Sequence, residues 1–189
     1  MTNRIDACIE RAQTEQRLAF LGLVPIDPAS FERSRDIARM MVASGIDVLM
    51  PHVPNWLPWM EGAVLQKAAQ APRFAGITRM QIFNFIKSLR EEFPDVPLIV
   101  MSLYDTAMTM GQKDFIKLCE EADIDGFDLP NYPLESTSDR FGFYRYCLES
   151  NRHLILAISY EIAMANPDTP EYELLQQLAR DARGFAFVM

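Results

Sequence analysis

Short apolar runs alternate with amphipathic stretches along the chain. Ile5, Cys8, Ile9 and Ala12 recur at helical spacing and predict an N-terminal helix. Residues 18–23 read as a short apolar strand. Pro28 and Ser30 open a helix with Ile37, Met40 and Met41 on one face, and Gly45 closes it. Residues 46–50 form a second apolar run, and Val64, Leu65, Ala68 and Ala69 mark a short helix after it. Thr78 and Gln81 have the spacing of a capping box, in which each side chain satisfies an orphan amide of the other's turn. The helix they start carries Ile82, Phe85, Ile86, Leu89 and Phe93 on one face. Pro94 and Pro97 bracket the turn into a third strand at 98–101. Phe115, Leu118 and Ala122 mark a helix, and a fourth strand at 124–129 is stopped by Pro130. Phe141, Tyr144 and Leu148 lie on another helix, followed by a fifth strand at 154–158. Tyr172, Leu175, Leu178, Ala179 and Ala182 mark the last helix, before a sixth strand at 184–188.

Six strands alternating with helices predict a parallel sheet covered by helices, joined by right-handed crossovers. Most strands are apolar at every position, as parallel strands buried on both faces require. The pattern alone leaves an open doubly wound sheet and a barrel both standing. The first strand runs into Val24-Pro25-Ile26-Asp27-Pro28 rather than a glycine-rich phosphate loop, which weakens a dinucleotide-binding reading.

Composition narrows the function classes. The 189 residues suit one domain, 1–189, with a sizeable core, but fall short of the roughly 250 of an ordinary (β/α)8 barrel. A formal net charge of −8 and the lack of any basic block argue against a nucleic-acid partner. No apolar run approaches the ~20 residues of a membrane span, and the N-terminus does not read as a signal peptide, so a cytoplasmic protein with no membrane partner is expected. Cys8, Cys119 and Cys147 are widely separated and read as reduced core thiols. The methionines read as adaptable core filling, and no zinc spacing or serine nucleophile elbow is present; neither cofactor nor metal is expected.

Several motifs, in order, carry a resemblance. They are Asp27-Pro28 after strand one; Ala43-Ser44-Gly45-Ile46-Asp47 leading into strand two; Pro54, Gly62, Val64 and Gln66 after it; Gly76-Ile77-Thr78; and Phe93-Pro94-Asp95-Val96-Pro97-Leu98. Asp125-Gly126, Leu129-Pro130, Pro133-Leu134-Glu135 and Arg183-Gly184-Phe185 complete the set. From about Leu18 onward the chain resembles the tryptophan synthase α subunit. The resemblance implies a parallel (β/α) TIM-barrel type α/β fold, here incomplete at about six βα units. It implies a carbon–carbon lyase of tryptophan biosynthesis that cleaves indole-glycerol phosphate to indole and glyceraldehyde 3-phosphate. The implied partner is a tryptophan synthase β-like subunit.

The same resemblance locates departures. The family's acid/base carboxylate at the end of strand two falls on Met50, whose thioether carries no proton. The second carboxylate, which holds the indole nitrogen, falls on Glu61, one methylene longer than the family aspartate. Leu103 stands where the family has a tyrosine, with Tyr104 beside it; Asp128 replaces an apolar pocket residue, and Asn131 an aspartate. The family's phosphate site belongs to loops after strands six to eight, beyond Met189, so that grip is expected to be absent. Strands one and six are then open edges: either the chain closes differently, or another chain covers the gap, or the sequence is a fragment, and of these a homo-oligomer is the favoured expectation.

Asp128 interrupts an apolar strand, so it is either a site acid or a hydrogen-bonded structural one. Histidine as a residue type can do acid/base work near neutral pH, and His52 lies in the same mouth region. With Glu61 and Asp128 it forms a candidate catalytic set on another small substrate; otherwise the barrel is a catalytically inactive scaffold. Trp56 and Trp59 lie on a loop that contacts the β subunit in the family, and are expected either at an interface or as a lid. Tyr160, after strand five, offers a polar group at the mouth or is a plain loop residue. His153, at the opening of a strand, and Asp125, at a turn, are expected to be structural, the latter on the surface.

Overall fold

In the computed structural model the described residues are 3–27, 29–54, 62–132, 142–158, 160, 164, 166–170, 172–173, 176 and 186–188. Helix α1 (Arg4–Thr14) begins at Asn3, whose side chain accepts the Ile5 amide, and it buries Ile5, Cys8 and Ala12. Strand β1 (Leu21–Val24) leads to α2 (Phe31–Ala43), capped by Ser30, and then to β2 (Val48–Pro51). Between α2 and β2 the chain turns through Gly45 at φ +89°, a left-handed geometry that glycine adopts without a Cβ clash.

Helices α3 (Ala63–Phe74) and α4 (Arg79–Glu92) precede β3 (Ile99–Met101), and the Thr78–Gln81 capping box opens α4 as expected. Two helices follow, α5 (Tyr104–Met110) and α6 (Gln112–Glu121), then β4 (Gly126–Asp128), α7 (Phe143–Glu149), β5 (His153–Ile158) and β6 (Ala186–Val188). Helix α5 has no apolar periodicity long enough to read in sequence. Gly111, at φ +83°, divides it from α6.

All strand pairs are parallel and sequential. β1 pairs with β2, and β3 to β6 form a continuous ladder. Bridges between Leu49 and Leu98 and between His52 and Met101 join β2 to β3. The sheet therefore runs β1 to β6 in chain order, the arrangement of a TIM-type barrel wall rather than of a doubly wound sheet, whose strand order reverses.

Alternation along the strands separates two apolar layers. Leu49, Leu98, Val100, Phe127, Leu129 and Leu154 pack outward with Ile82, Phe85, Ile86 and Leu89 of α4, Phe115 of α6 and Phe143 of α7. Val48, Met50, Ile99 and Ile155 pack inward with Ile5 and Cys8, so α1 lies across the amino-terminal end of the barrel interior. Gly126 makes this approach feasible. A Cβ there would lie 2.8 Å from the His153 carbonyl oxygen and 3.0 Å from Ile5 Cδ1, inside contact distance.

The amino-terminal end is held by charge. Asp125, expected on the surface, is buried instead; it accepts from Arg4, Arg90 and the Leu98 amide at 2.8, 2.5 and 2.8 Å. A buried carboxylate is tolerated when paired and hydrogen-bonded in this way, and position next to a glycine gave no hint of the partners. Arg90 also donates to the carbonyls of Phe93, Pro94, Val96 and Asp123. Asp47 is buried beneath β2 and gripped by Arg17 at 2.6 and 2.7 Å, which holds its carboxyl below the usual range. His153 is fully buried at the start of β5, its Nε2 3.1 Å from Asp6.

Candidate active site

The carboxyl-terminal ends of β2 to β5 define the mouth where barrels of this type place their chemistry. His52 bridges to Met101, and Met101 is in register with Asp128, which is in register with Ile155. The four residues thus form one row across adjacent strands. Their neighbours Val53, Val100, Phe127 and Leu154 pack in the outer layer, so alternation turns the row toward the barrel interior. With strands about 4.8 Å apart, the His52 and Asp128 backbones stand about 10 Å from each other across Met101.

Asp128 is the unusual member. It is 4% exposed, and among the described residues its Oδ1 is buried with no hydrogen-bond partner. Burial pushes its carboxyl up to about 6, because desolvation penalises the charged form and no donor offsets it. An acid at that value exchanges protons freely near neutrality, with roughly a tenth of the molecules protonated at pH 7. Asp47 and Asp125, also buried, accept from several donors, whereas among the described residues none reaches Asp128 Oδ1.

The other expected positions are distributed around the row. Met50 is buried two residues before His52, against Ile5, Cys8, Val48, Ile99 and Ile155. His52 itself is 3% exposed. Leu103 is buried at the start of α5. Tyr104 packs edge-on against Tyr132, ring centroids 5.1 Å apart, and against Phe143 at 6.0 Å. Asn131 accepts the Tyr104 amide through Oδ1 and donates to Asp105 through Nδ2 at 3.2 Å. It serves the first turn of α5, where Leu103 supplies no side-chain cap. Tyr160 is 60% exposed. Glu61, Trp56 and Trp59 lie outside the described residues.

Two features escaped the sequence. Ser102 ties strand ends together, donating through Oγ to the Val53 carbonyl at 3.0 Å while its amide bonds the Asp128 carbonyl. Met101 separates His52 from Asp128, a relation set by register that no spacing along the chain encodes. The described residues include no group of three or more potential metal ligands. No described helix is long and apolar enough to cross a membrane.

Comparison with known proteins gives this geometry a context. The sequence model of the family described as Tryptophan synthase alpha chain matches residues 9–189. The tryptophan synthase alpha chain of Methanocaldococcus jannaschii is 27% identical over 149 residues, covering 79% of this chain and 49% of the relative. That of Opitutus terrae is 26% identical over 185 residues, covering 98% of this chain and 65% of the relative. The chain thus spans about half to two thirds of the length of these curated relatives. The crystal structure of tryptophan synthase subunit alpha from Legionella pneumophila superimposes with a TM-score of 0.84 at 24% identity, over 100% of this chain and 68% of that one. The wall of sequential parallel strands is therefore the TIM barrel of that structure, and the chain belongs to the tryptophan synthase alpha chain family.

Proposed function

We propose that this protein is an α-type carbon–carbon lyase acting on an indole-glycerol phosphate-like substrate, with Asp128 in the proton-carrying role that Met50 cannot fill. The supporting observation is the buried, unpaired Asp128 carboxyl, poised at about 6 on the inward face of β4. In the reaction, protonated Asp128 gives its proton to C3 of the indole. Protonation makes the ring an electron sink: the bond from C3 to the glycerol carbon breaks with its electron pair passing into the ring, and the O–H pair of the adjoining hydroxyl becomes the carbonyl of the aldehyde. The hydroxyl proton returns to the carboxylate, so the enzyme ends as it began. A general acid near the working pH contributes about 10²- to 10⁴-fold to such a step. Glu61 orients the ring, Leu103, Tyr104 and Asn131 border the mouth, and Tyr160 offers a polar group at its rim. The proposed partner is a β-type subunit met through Trp56 and Trp59, in the cytoplasm, serving tryptophan biosynthesis.

A second reading is a catalytically silent binding barrel, favoured by the packing of Met50 among apolar side chains where the family's reaction needs a carboxylate. A third, favoured by the shared row of His52 and Asp128, is a remodelled enzyme that uses both with Glu61 on a different small molecule. Incubation with indole-glycerol phosphate, with and without a β subunit, separates them. Release of indole that falls at least about a hundredfold in Asp128→Asn supports the lyase. Binding without turnover supports the silent barrel. Neither binding nor turnover removes both and leaves the remodelled enzyme.

A further inference from the structure

We propose that Ser102 is a positioning residue, whose hydroxyl clamps the end of β2 to the end of β3 and so keeps the β2 exit aligned with Asp128 on β4. This rests on the lyase reading above, because the alignment matters to turnover only where Asp128 acts on a substrate held from the β2 side.

The need for a clamp is written in β2. Successive amides of this strand face opposite neighbours. Val48 and His52 donate toward β1, to the carbonyls of Phe20 and Val24. Leu49 and Val53 donate toward β3, to the carbonyls of Pro97 and Met101 at 3.0 and 2.9 Å. The residue between them whose amide belongs on the β3 side is Pro51, which has no N–H. The seam between β2 and β3 therefore lacks a rung one residue before His52. The two strands meet through isolated bridges, Leu49 with Leu98 and His52 with Met101, whereas each other adjacent pair is in register over three or four consecutive residues.

Ser102 stands across this weak seam. It is fully buried, its hydroxyl donates to the Val53 carbonyl at 3.0 Å, and its amide donates to the Asp128 carbonyl at 3.0 Å. One residue thus ties the ends of β2, β3 and β4. Alternation puts its side chain on the same face as Val100, in the apolar outer layer, where an apolar side chain would pack as well. What serine adds there is the bond to Val53, and a buried carbonyl deprived of such a donor is left poorly satisfied. Past Val53 the chain leads to Glu61, the proposed holder of the ring, while the proposed acid sits on β4. A shift of about 1 Å between a bound substrate and its acid can cost about a hundredfold in rate.

Ser102→Ala and Ser102→Thr in the full chain test this, with two readouts. The first is turnover of indole-glycerol phosphate per folded molecule. In Ser102→Ala kcat should fall by about tenfold or more with KM held within about threefold, and Ser102→Thr, which keeps the hydroxyl, should restore kcat. The second is amide hydrogen exchange. The Val53 amide, bonded across the seam, should exchange about tenfold faster in Ser102→Ala, while the Val48 and His52 amides, bonded to β1, keep their wild-type rates. A Val53 amide that exchanges at the wild-type rate in Ser102→Ala overturns the clamp, whatever the turnover. A faster Val53 amide with kcat unchanged overturns the positioning role, and so does a threonine variant that restores slow exchange without restoring kcat. Absence of wild-type turnover, or turnover that Asp128→Asn leaves intact, ends the lyase reading and the positioning role with it, and the exchange rates still decide the clamp.

Discussion

Replacing Asp128 by leucine should stabilise the protein, and do so more at alkaline than at acidic pH. Its carboxyl is held up at about 6 against an ordinary 3.8 because burial strips its water and no donor replaces it. That displacement corresponds to about 3 kcal/mol against the ionised form, at about 1.4 kcal/mol per tenfold change in proton affinity. Between the two values the folded chain binds more protons than the unfolded one, so Asp128 lowers stability progressively as pH rises from about 4 to about 6. Below 3.8 both states are protonated and the penalty vanishes; above 6 both are ionised and it is complete. Asp128→Leu removes the group, and leucine suits the apolar company of Met101 and Ile155. Relative to wild type, the variant should gain about 2–3 kcal/mol more at pH 8 than at pH 4, which for a chain of this length is about 5–10 °C in Tm. Urea denaturation followed by circular dichroism across that range measures it. A wild-type-to-variant difference independent of pH, or a loss of stability at pH 8, would refute the reasoning, since either means the carboxylate is solvated or paired. On the proposed function the same variant loses turnover, so stability and activity should move in opposite directions.

Gly126→Ala should cost about 1–3 kcal/mol by forcing α1 and the His153 carbonyl off its new methyl group, seen as a lowered thermal midpoint with α1 amides exchanging faster. Arg90→Met removes a principal partner of buried Asp125 and should destabilise by about 3–5 kcal/mol in urea unfolding. Asp47→Asn should lose about 1–2 kcal/mol at pH 7 and converge on wild type at acidic pH. The Asp47 carboxyl is depressed by Arg17, so its contribution is present above the unfolded value and lost as pH falls through the folded one. Met50→Glu places a carboxyl among Ile5, Cys8 and Ile99 and should destabilise by a few kcal/mol; any rise in indole release from this variant shows that the rest of the pocket accepts the family's substrate.

Much of the wall was legible because apolar periodicity and turn chemistry are local. The Thr78–Gln81 box, the Ser30 cap and the Gly45 stop stand where the residues predicted them, and all six strands exist. Strand limits moved by up to three residues: the run at 18–23 became Leu21–Val24, because Leu18 and Phe20 lie before the ladder and are exposed. Helix α5 was invisible, since its seven residues are held by Asn131 from another strand end rather than by their own pattern.

The sequence by itself determined the order of strands and helices and the family. Each of these is written in residue type and short-range spacing. Tertiary structure alone decided which acids are spent and which is free. Asp47, Asp125 and Asp128 look alike along the chain, flanked by apolar residues or glycine. Folding brings guanidinium groups to the first two from 30 or more residues away, and among the described residues brings none to the third. Proton affinity is fixed by desolvation and by neighbours in space, so the charge state of the candidate site came into being only when the strands fell into register.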